Sequence, residues 1–514
     1  MIRNGERLLL TTALAHRAAR AATGLRSLEA GRGDLIALYL HNDLAFFEAS
    51  QAADRIEAYP TPVNWHYAEA EARCLFEDSG ARAIIVHADL INSIRGALPD
   101  GVPVLVVATP PELAAAYGIE QTAIPTGMLD WNAWLEAFEP DEIPPPPGMI
   151  IYTSGTTGHP KRVRRNPPNL EQAAVSSRMR SQVFGYHLAP PAEIVTVITG
   201  PMYHSAPNGR GTLAVQIVAG VILQPRFDAE ELLALIERHR VTHLHMVPVM
   251  FSRLLQLADK VKRRYNLSSL RYVVHTAAPC PVAVKRAMLD CMGPIIHEYY
   301  GSTETGAVTF CTAQQWLDHP GTVGARTPDA TMKVFDPGGH ELPPGQLGEI
   351  VIRFPGMADF TDHCDNTKCQ SADRSGLIET DIVGYLYPDG FLHLCDRSKD
   401  MIVSGGTIIY PAEIEAELLR MPGVADCPVF GIPDDEFGEA VAAAVQISAG
   451  FDLDEQQVSP WLDERMTSYK APRRVDFHSE LPREDSGKLF KRKLREASGA
   501  DSTGRFDGLR SWRF

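Results

Sequence analysis

A chain of 514 residues is longer than one ordinary hydrophobic core supports, so two or more domains are expected. Hydrophobic residues at 45% and charged residues at 22% exclude a disordered chain. No apolar run approaches the roughly 20 residues of a transmembrane helix. A net charge of -15 argues against a nucleic-acid or anionic-membrane partner, while leaving room for a local basic site.

The first residues imitate a secretory signal, with Arg3 and Arg7 before Leu8, Leu9 and Leu10 and the small-residue spacing Ala13-Leu14-Ala15. Thr11 and Thr12 interrupt that short apolar core, and the Ala/Leu/Arg pattern runs on to Leu28, which predicts a helix instead. Cys74, Cys280, Cys291, Cys311, Cys364, Cys369, Cys395 and Cys427 are scattered, as for reduced thiols in a cytoplasmic protein. Cys364 and Cys369, beside His363 and Asp365, lack a second ligand pair, so no structural metal is expected there.

Runs 35–40, 83–86 and 104–107 read as buried strands separated by helical or turn-rich segments, the alternation of a parallel α/β sheet. After Pro144 to Pro147, a short strand ending near Tyr152 leads into Thr153-Ser154-Gly155-Thr156-Thr157-Gly158, with Lys161 beyond. Glycines free backbone N–H groups to turn toward an anion, hydroxyls add donors and the lysine adds charge, so this stretch predicts a phosphate cradle. Its spacing differs from GxxxxGK[ST], because no Ser or Thr follows the lysine.

Asp228 is a plausible N-cap for a helix with Leu232, Leu235 and Ile236 on one face and His239 and Arg240 at its C-terminal dipole. A strand over Val241 to Val247 follows. Another, Tyr272 to Val274, enters His275-Thr276-Ala277-Ala278-Pro279, placing that segment beyond a strand's carboxyl end, where ligands bind in such sheets. From about residue 320, short apolar runs split by Gly and Pro predict a small β-rich subdomain. After Lys399 come Ser404-Gly405-Gly406 and a helix opened by Pro411, with Ile414 and Leu418 on one face.

The loop from Thr153 to Lys161 resembles the nucleotide-binding loop of the adenylate-forming superfamily, which contains acyl-CoA and aryl-CoA synthetases, luciferases and peptide-synthetase adenylation domains. Tyr300-Gly301-Ser302-Thr303-Glu304 resembles its YGxTE motif. The resemblance implies that Tyr300 packs on adenine and that Glu304 holds Mg²⁺ with Thr153. Gly301, Ser302, Thr303, Thr276, Ala277 and Ala278 are implied to border the nucleotide, and Asp381 and Arg397 to bind the ribose hydroxyls. Pro201-Met202-Tyr203-His204 is similar to the segment beside the acyl pocket, which implies that Tyr203, His204, Thr276 and Val249 line it and that His204 gates it or orients the carboxylate. Lys399 falls at the family's hinge, and Ser404, Gly405 and Gly406 at the loop lining the thiol's path. Lys488, in Leu481-Pro482-Arg483-Glu484-Asp485-Ser486-Gly487-Lys488, resembles the lysine that enters the site for adenylation.

The resemblance implies an AMP-forming carboxylic acid:CoA ligase working through an acyl-adenylate, with Mg²⁺, ATP and CoA. Its acid would be fatty, aromatic or alicyclic. No aspartate occurs from Thr199 to Val221 to bind an α-ammonium group, which disfavours amino acids, and no carrier domain is appended, which favours free CoA. A luciferase-like oxygenase and a non-catalytic binding protein on the same fold are the alternatives, and a homodimer stays open. The expected architecture is α/β. A large domain of doubly wound parallel sheets over 1–398 carries a β-barrel-like subdomain at about 320–395, followed by a small mobile α+β domain over 399–496 and a tail over 497–514. Arg162, Pro167, the Thr276-Ala277 pair and Glu379-Thr380 depart from the family's usual residues.

Overall fold

The computed structural model describes residues 1–120, 122–140, 150–153, 161–165, 169–303, 305–354, 360–362, 377–397, 400–405, 407–434, 436–448, 450–483 and 494–495. The first sheet is wholly parallel. Its strands run in the order Tyr59–Pro62, Leu35–Tyr39, Ala83–His87, Val104–Val107, Leu129–Asp130. Leu35–Tyr39 and Ala83–His87 are buried at every position, as strands covered on both faces must be.

The second sheet has a parallel half and an antiparallel half. Tyr272–His275, His243–Met246, Val195–Ile198, Gly220–Leu223 and Ile2–Asn4 run parallel, with Ile296–Ser302 parallel to Tyr272–His275. Gly306–Cys311 then turns back antiparallel, and Gly324–Arg326, Phe391–Arg397, Ile378–Leu386, Gly348–Arg353 and Thr331–Phe335 continue the sheet in that order. The β-rich stretch foreseen from about residue 320 is therefore part of the same hydrogen-bonded sheet, joined to the parallel strands through Gly306–Cys311.

Alternation along the parallel strands builds two cores. Val197, Leu244, Met246 and Val273 face Leu232, Ile236, Phe251 and Met288 of the helices Ala229–His239, Pro248–Gln256 and Val282–Met292. Ile198, Tyr272 and Val274 join the opposite core with Leu213 and Ala214 of the helix Ser205–Gln216. A further sheet, with Gly438–Ile447 at its centre, packs Ile402, Val429, Val441 and Val445 against Ile414 and Leu418 of the helix Pro411–Leu418.

The amino terminus corrects one expectation. Ile2–Asn4 and Arg7–Leu9 form an antiparallel hairpin, and the helix covers only Thr11–Ser27. Arg3 and Leu8, read as part of a helix, are register partners in that hairpin. Pairing with Gly220–Leu223 overrides the local Ala/Leu pattern because a free sheet edge is capped by it.

Asp228 caps the helix Ala229–His239 as foreseen, its carboxylate accepting from Glu231 N at 2.7 Å. Arg240 is the left-handed C-cap, at φ 51. A side chain there is strained by about 1–2 kcal/mol, partly offset by the extra unfolded-state entropy of glycine. Arg240→Gly is expected to raise stability by about 0.5–1 kcal/mol, read as a higher urea midpoint with an unchanged slope.

Candidate active site

Three segments singled out in the sequence leave the carboxyl ends of parallel strands. Pro201–His204 follows Val195–Ile198, Thr276–Pro279 follows Tyr272–His275, and Tyr300–Thr303 ends and leaves Ile296–Ser302. Side-chain amides set the first. Asn42, beyond the strand Leu35–Tyr39 and 4% exposed, donates to Gly200 O at 2.9 Å and accepts from Met202 N at 2.8 Å. Asn208 donates to Met202 O at 2.9 Å. The turn they hold buries Tyr203, whose ring meets Trp65 edge-on at 6.2 Å, and places His204 at the N-cap of the helix Ser205–Gln216.

The Tyr300–Thr303 segment is shaped by a close approach and a turn. A Cβ on Gly301 would stand 1.9 Å from Gly306 O, so only glycine fits where the ladder shifts register. Ser302 N donates to Thr305 Oγ1 at 3.0 Å, and Thr305 N donates to Ser302 Oγ at 3.1 Å. The Thr303 hydroxyl meets the Ser205 hydroxyl at 3.2 Å, joining the YGST turn to the start of the helix after His204. Thr276 is buried beside Tyr299. Ala277 has φ 77, so here a Cβ sits in the left-handed region. Ala278 follows in the same exposed bend.

Asp381 is also left-handed, at φ 56, inside the strand Ile378–Leu386 where its ladder with Gly348–Arg353 is irregular. Its neighbour Ile382 is the register partner of Arg397, so Asp381 and Arg397 stand on adjoining strands one position out of line. Thr380, in place of the usual residue there, bonds its hydroxyl to Ile350 O at 2.8 Å. Ser404 pairs with Thr407 and Gly438, and Gly405, at φ 57, donates to Phe437 O at 2.8 Å.

Thr153 and Lys161 end the two strands of a hairpin, Ile150–Thr153 and Lys161–Arg165, and are register partners. Arg162 sits in that ladder opposite Tyr152. Between them, Ser154, Gly155, Thr156, Thr157 and Gly158 lie outside the described residues, as do Pro167, Glu304, Cys364, Cys369, Lys399, Gly406 and Lys488. Val249 is half-buried at the start of the helix Pro248–Gln256. It packs against the core containing Leu244, Met246 and Met250.

Sequence reading missed the residues behind these segments. Trp65, Asn42 and Asn208 carry no motif, and Arg210 is a lone arginine in a buried helix. Lys285 and Glu298, both buried, form an ion pair beside His275, with the Lys285 ammonium 4.9 Å from the Trp316 ring centre. Burial alone would raise the Glu298 carboxyl, but His275 and Lys285 outweigh it and hold it below its ordinary value.

His243 and His245 stand on the site side of the strand His243–Met246, and burial, then the Arg210 charge, pushes them down to about 4 and about 3. Unfolded, each takes up a proton as pH falls through its ordinary 6.5, whereas the folded chain keeps both neutral. The unfolded state therefore binds more protons in that window, and stability declines as pH drops from 6.5 toward 4. Urea midpoints at about pH 8 and about pH 5 should show this decline, and His245→Gln should shrink it. Equal midpoints for the wild type at the two pH values would contradict the assignment.

Comparison with known proteins agrees with this geometry. Residues 11–359 match the AMP-binding enzyme family and residues 413–488 match the AMP-binding enzyme C-terminal domain. The chain is 31% identical over 501 residues to a feruloyl-CoA synthase of Amycolatopsis, covering 97% of this chain and 96% of that protein. It is 30% identical to an indoleacetate–CoA ligase of Aromatoleum aromaticum, covering 96% and 94%. ATP-bound MatB from Rhodopseudomonas palustris superposes with a TM-score of 0.80 at 26% identity, covering 96% of this chain and 95% of that one. The chain belongs to the AMP-binding enzyme family.

Proposed function

We propose that the protein is an AMP-forming acid–thiol ligase that joins a carboxylic acid to CoA through an acyl-adenylate. The observation that carries this reading is the Ser205–Thr303 hydrogen bond at 3.2 Å, which joins the candidate acid-binding helix to the candidate nucleotide turn in a chain of this family. In the first half-reaction a carboxylate oxygen of the acid attacks the α-phosphorus of ATP and pyrophosphate leaves. In the second, the CoA thiol, losing its proton, attacks the acyl carbonyl and AMP leaves. The relatives' feruloyl and indoleacetate substrates support an acid with an apolar body, drawn from the fatty, aromatic and alicyclic classes.

Charge decides what the first step needs. Two unit charges at 4 Å repel by about 4 kcal/mol at an effective dielectric near 20, so a carboxylate meets ATP only where cations offset the phosphates. We assign Lys161 and Lys488 to that task, with the hydroxyls and backbone N–H groups of Thr153 to Gly158 cradling the phosphates. The donor set proposed for Mg²⁺, the Glu304 carboxylate and the Thr153 hydroxyl, is all oxygen, which fits a hard cation. When bound, Mg²⁺ supplies neutralisation of phosphate charge.

Tyr300 is assigned to the adenine face, Gly301, Ser302, Thr303, Thr276, Ala277 and Ala278 to the nucleotide's surroundings, and Asp381 and Arg397 to the ribose hydroxyls. Adjacent placement of Ile382 and Arg397 supports the last pair. His204 orients the carboxylate beside Tyr203. The small domain is proposed to start at Lys399 and to turn there, bringing Ser404, Gly405 and Gly406 to the thiol. The scattered cysteines support a cytoplasmic enzyme.

Incubation with ATP, hydroxylamine and a panel of carboxylic acids tests the class: acid-dependent hydroxamate marks adenylation, and none with any acid removes the reading. Lys488→Ala should lower acid-dependent pyrophosphate exchange by about 10²–10³ while sparing CoA-dependent consumption of supplied acyl-adenylate. Lys399→Pro should divide the two the other way, because a fixed φ hinders the turn. Equal loss of both half-reactions in Lys488→Ala would defeat its assignment. Thr276→Gly removes a buried side chain beside Tyr299 and should shift selectivity toward bulkier acids by about 1–3 kcal/mol in kcat/KM. An unchanged ranking of acids would mean that Thr276 does not border the acid.

A further inference from the structure

Arg210 is fully buried in the helix Ser205–Gln216, and no carboxylate among the described residues pairs with it. Its Nε donates to Thr196 Oγ1 at 2.9 Å, but neither Nη1 nor Nη2 has a hydrogen-bond partner. Around the guanidinium stand aromatic rings, Tyr186 at 5.1 Å and Phe184 at 5.5 Å from its carbon to the ring centres. Below it, Thr196, His243 and Tyr272 are aligned across three parallel strands. Burial presses the guanidinium's pKa down.

A buried charge whose donors point at nothing is strongly disfavoured, and cation–π contact recovers only part of the loss. Its place in the fold offers a reason for keeping it. Arg210 lies about 9 Å along the helix from His204, at about 1.5 Å per residue. From the other wall, buried Thr276 stands next to the Tyr299 side chain, and the Tyr299 hydroxyl reaches His245 Nε2 at 3.5 Å. His245 and Tyr299 in turn lie close enough to Arg210 for its charge to act on both, so the second wall also borders the cation.

We propose that Arg210 ends the acyl site and binds a second carboxylate at the far end of the substrate, so that the acid activated here is a dicarboxylic acid with several atoms between its carboxyl groups. This rests on the ligase reading above. The planar guanidinium with both Nη groups open suits two parallel N–H···O bonds to one carboxylate, which a neutral acceptor cannot equal. The second charge also neutralises the buried cation, so binding removes the cost that the unliganded chain carries. The reacting carboxylate is left at His204, facing the nucleotide turn.

The test uses the intact protein and α,ω-dicarboxylic acids of increasing length, each beside the monocarboxylic acid and the ω-oxo acid of the same length, read as hydroxamate formation with ATP. A preference for one span of diacid over its matched monoacid of at least about 100-fold in kcat/KM is expected. Arg210→Met should bring that ratio down toward one, by raising the monoacid and lowering the diacid, and Arg210→Lys should restore part of it. The wild-type ratios need no variant, so misfolding of Arg210→Met does not spare the proposal. Matched monoacids or ω-oxo acids used as well as diacids overturn it while leaving the ligase reading intact. Absence of hydroxamate with every acid overturns the ligase reading instead. A more stable Arg210→Met with the wild-type diacid ratio identifies a structural cation and also overturns the proposal.

Discussion

The candidate site depends on one side-chain amide. Asn42 uses both ends of its amide on the backbone around Gly200 and Met202, and that turn fixes Tyr203 and His204. Each buried group left without its partner would cost about 1–3 kcal/mol, so the turn has one favourable position. Asn42 stands just past a strand of the first sheet, whereas the turn belongs to the second. The neighbouring residue tightens the same joint. Asp43 is the N-cap residue of the helix Leu44–Arg55, but its carboxylate serves other partners: it accepts from Asn4 at 3.0 Å, with Arg7 and His87 also against it. The hairpin that carries Asn4 and Arg7 is itself the edge of the second sheet, so the two sheets are joined both at their edge and at the site.

The second sheet divides its labour between faces. One face packs aliphatic side chains on three helices, the ordinary source of stability in such a layer. The other presents Thr196, His243, His245, Tyr272 and Tyr299 to Arg210, and burial opposes the charged form of each histidine there. Polar groups at core positions sacrifice stability, and their concentration on one face beside His204 is the kind of local inconsistency that marks a working surface.

Backbone strain separates structure from site in the same way. Among the described residues, Glu29, Glu57, Val218 and Arg240 have positive φ just beyond helix ends, where a chain commonly reverses. Ala277 and Asp381 do not close helices. Each is held in a sparsely populated region, at a cost on the order of 1–3 kcal/mol, by the ladder or strand end around it. Both belong to segments assigned to the nucleotide, and Gly301, which admits no Cβ, lies in another.

Local rules by themselves determined a good deal of this protein. Buried strands at 35–40, 83–86 and 104–107, the Asp228 cap and the helix at Pro411 follow from short-range hydrophobic pattern and capping, which need no partner to be legible. The family was legible too, because its loops are runs of contiguous residues. The hairpin at Ile2–Leu9 was not, since its reason for being extended is a strand more than two hundred positions away. Nor was the place of Val249, which depends on the face of a sheet its helix packs against. Asn42, Asn208 and the Lys285–Glu298 pair are single residues whose meaning is a partner brought near only by folding. Arg210 shows the limit most sharply: in sequence it is one more arginine, and only tertiary structure buries its guanidinium among aromatic rings with both Nη groups unpaired, because burial and the loss of water are properties of the packed chain.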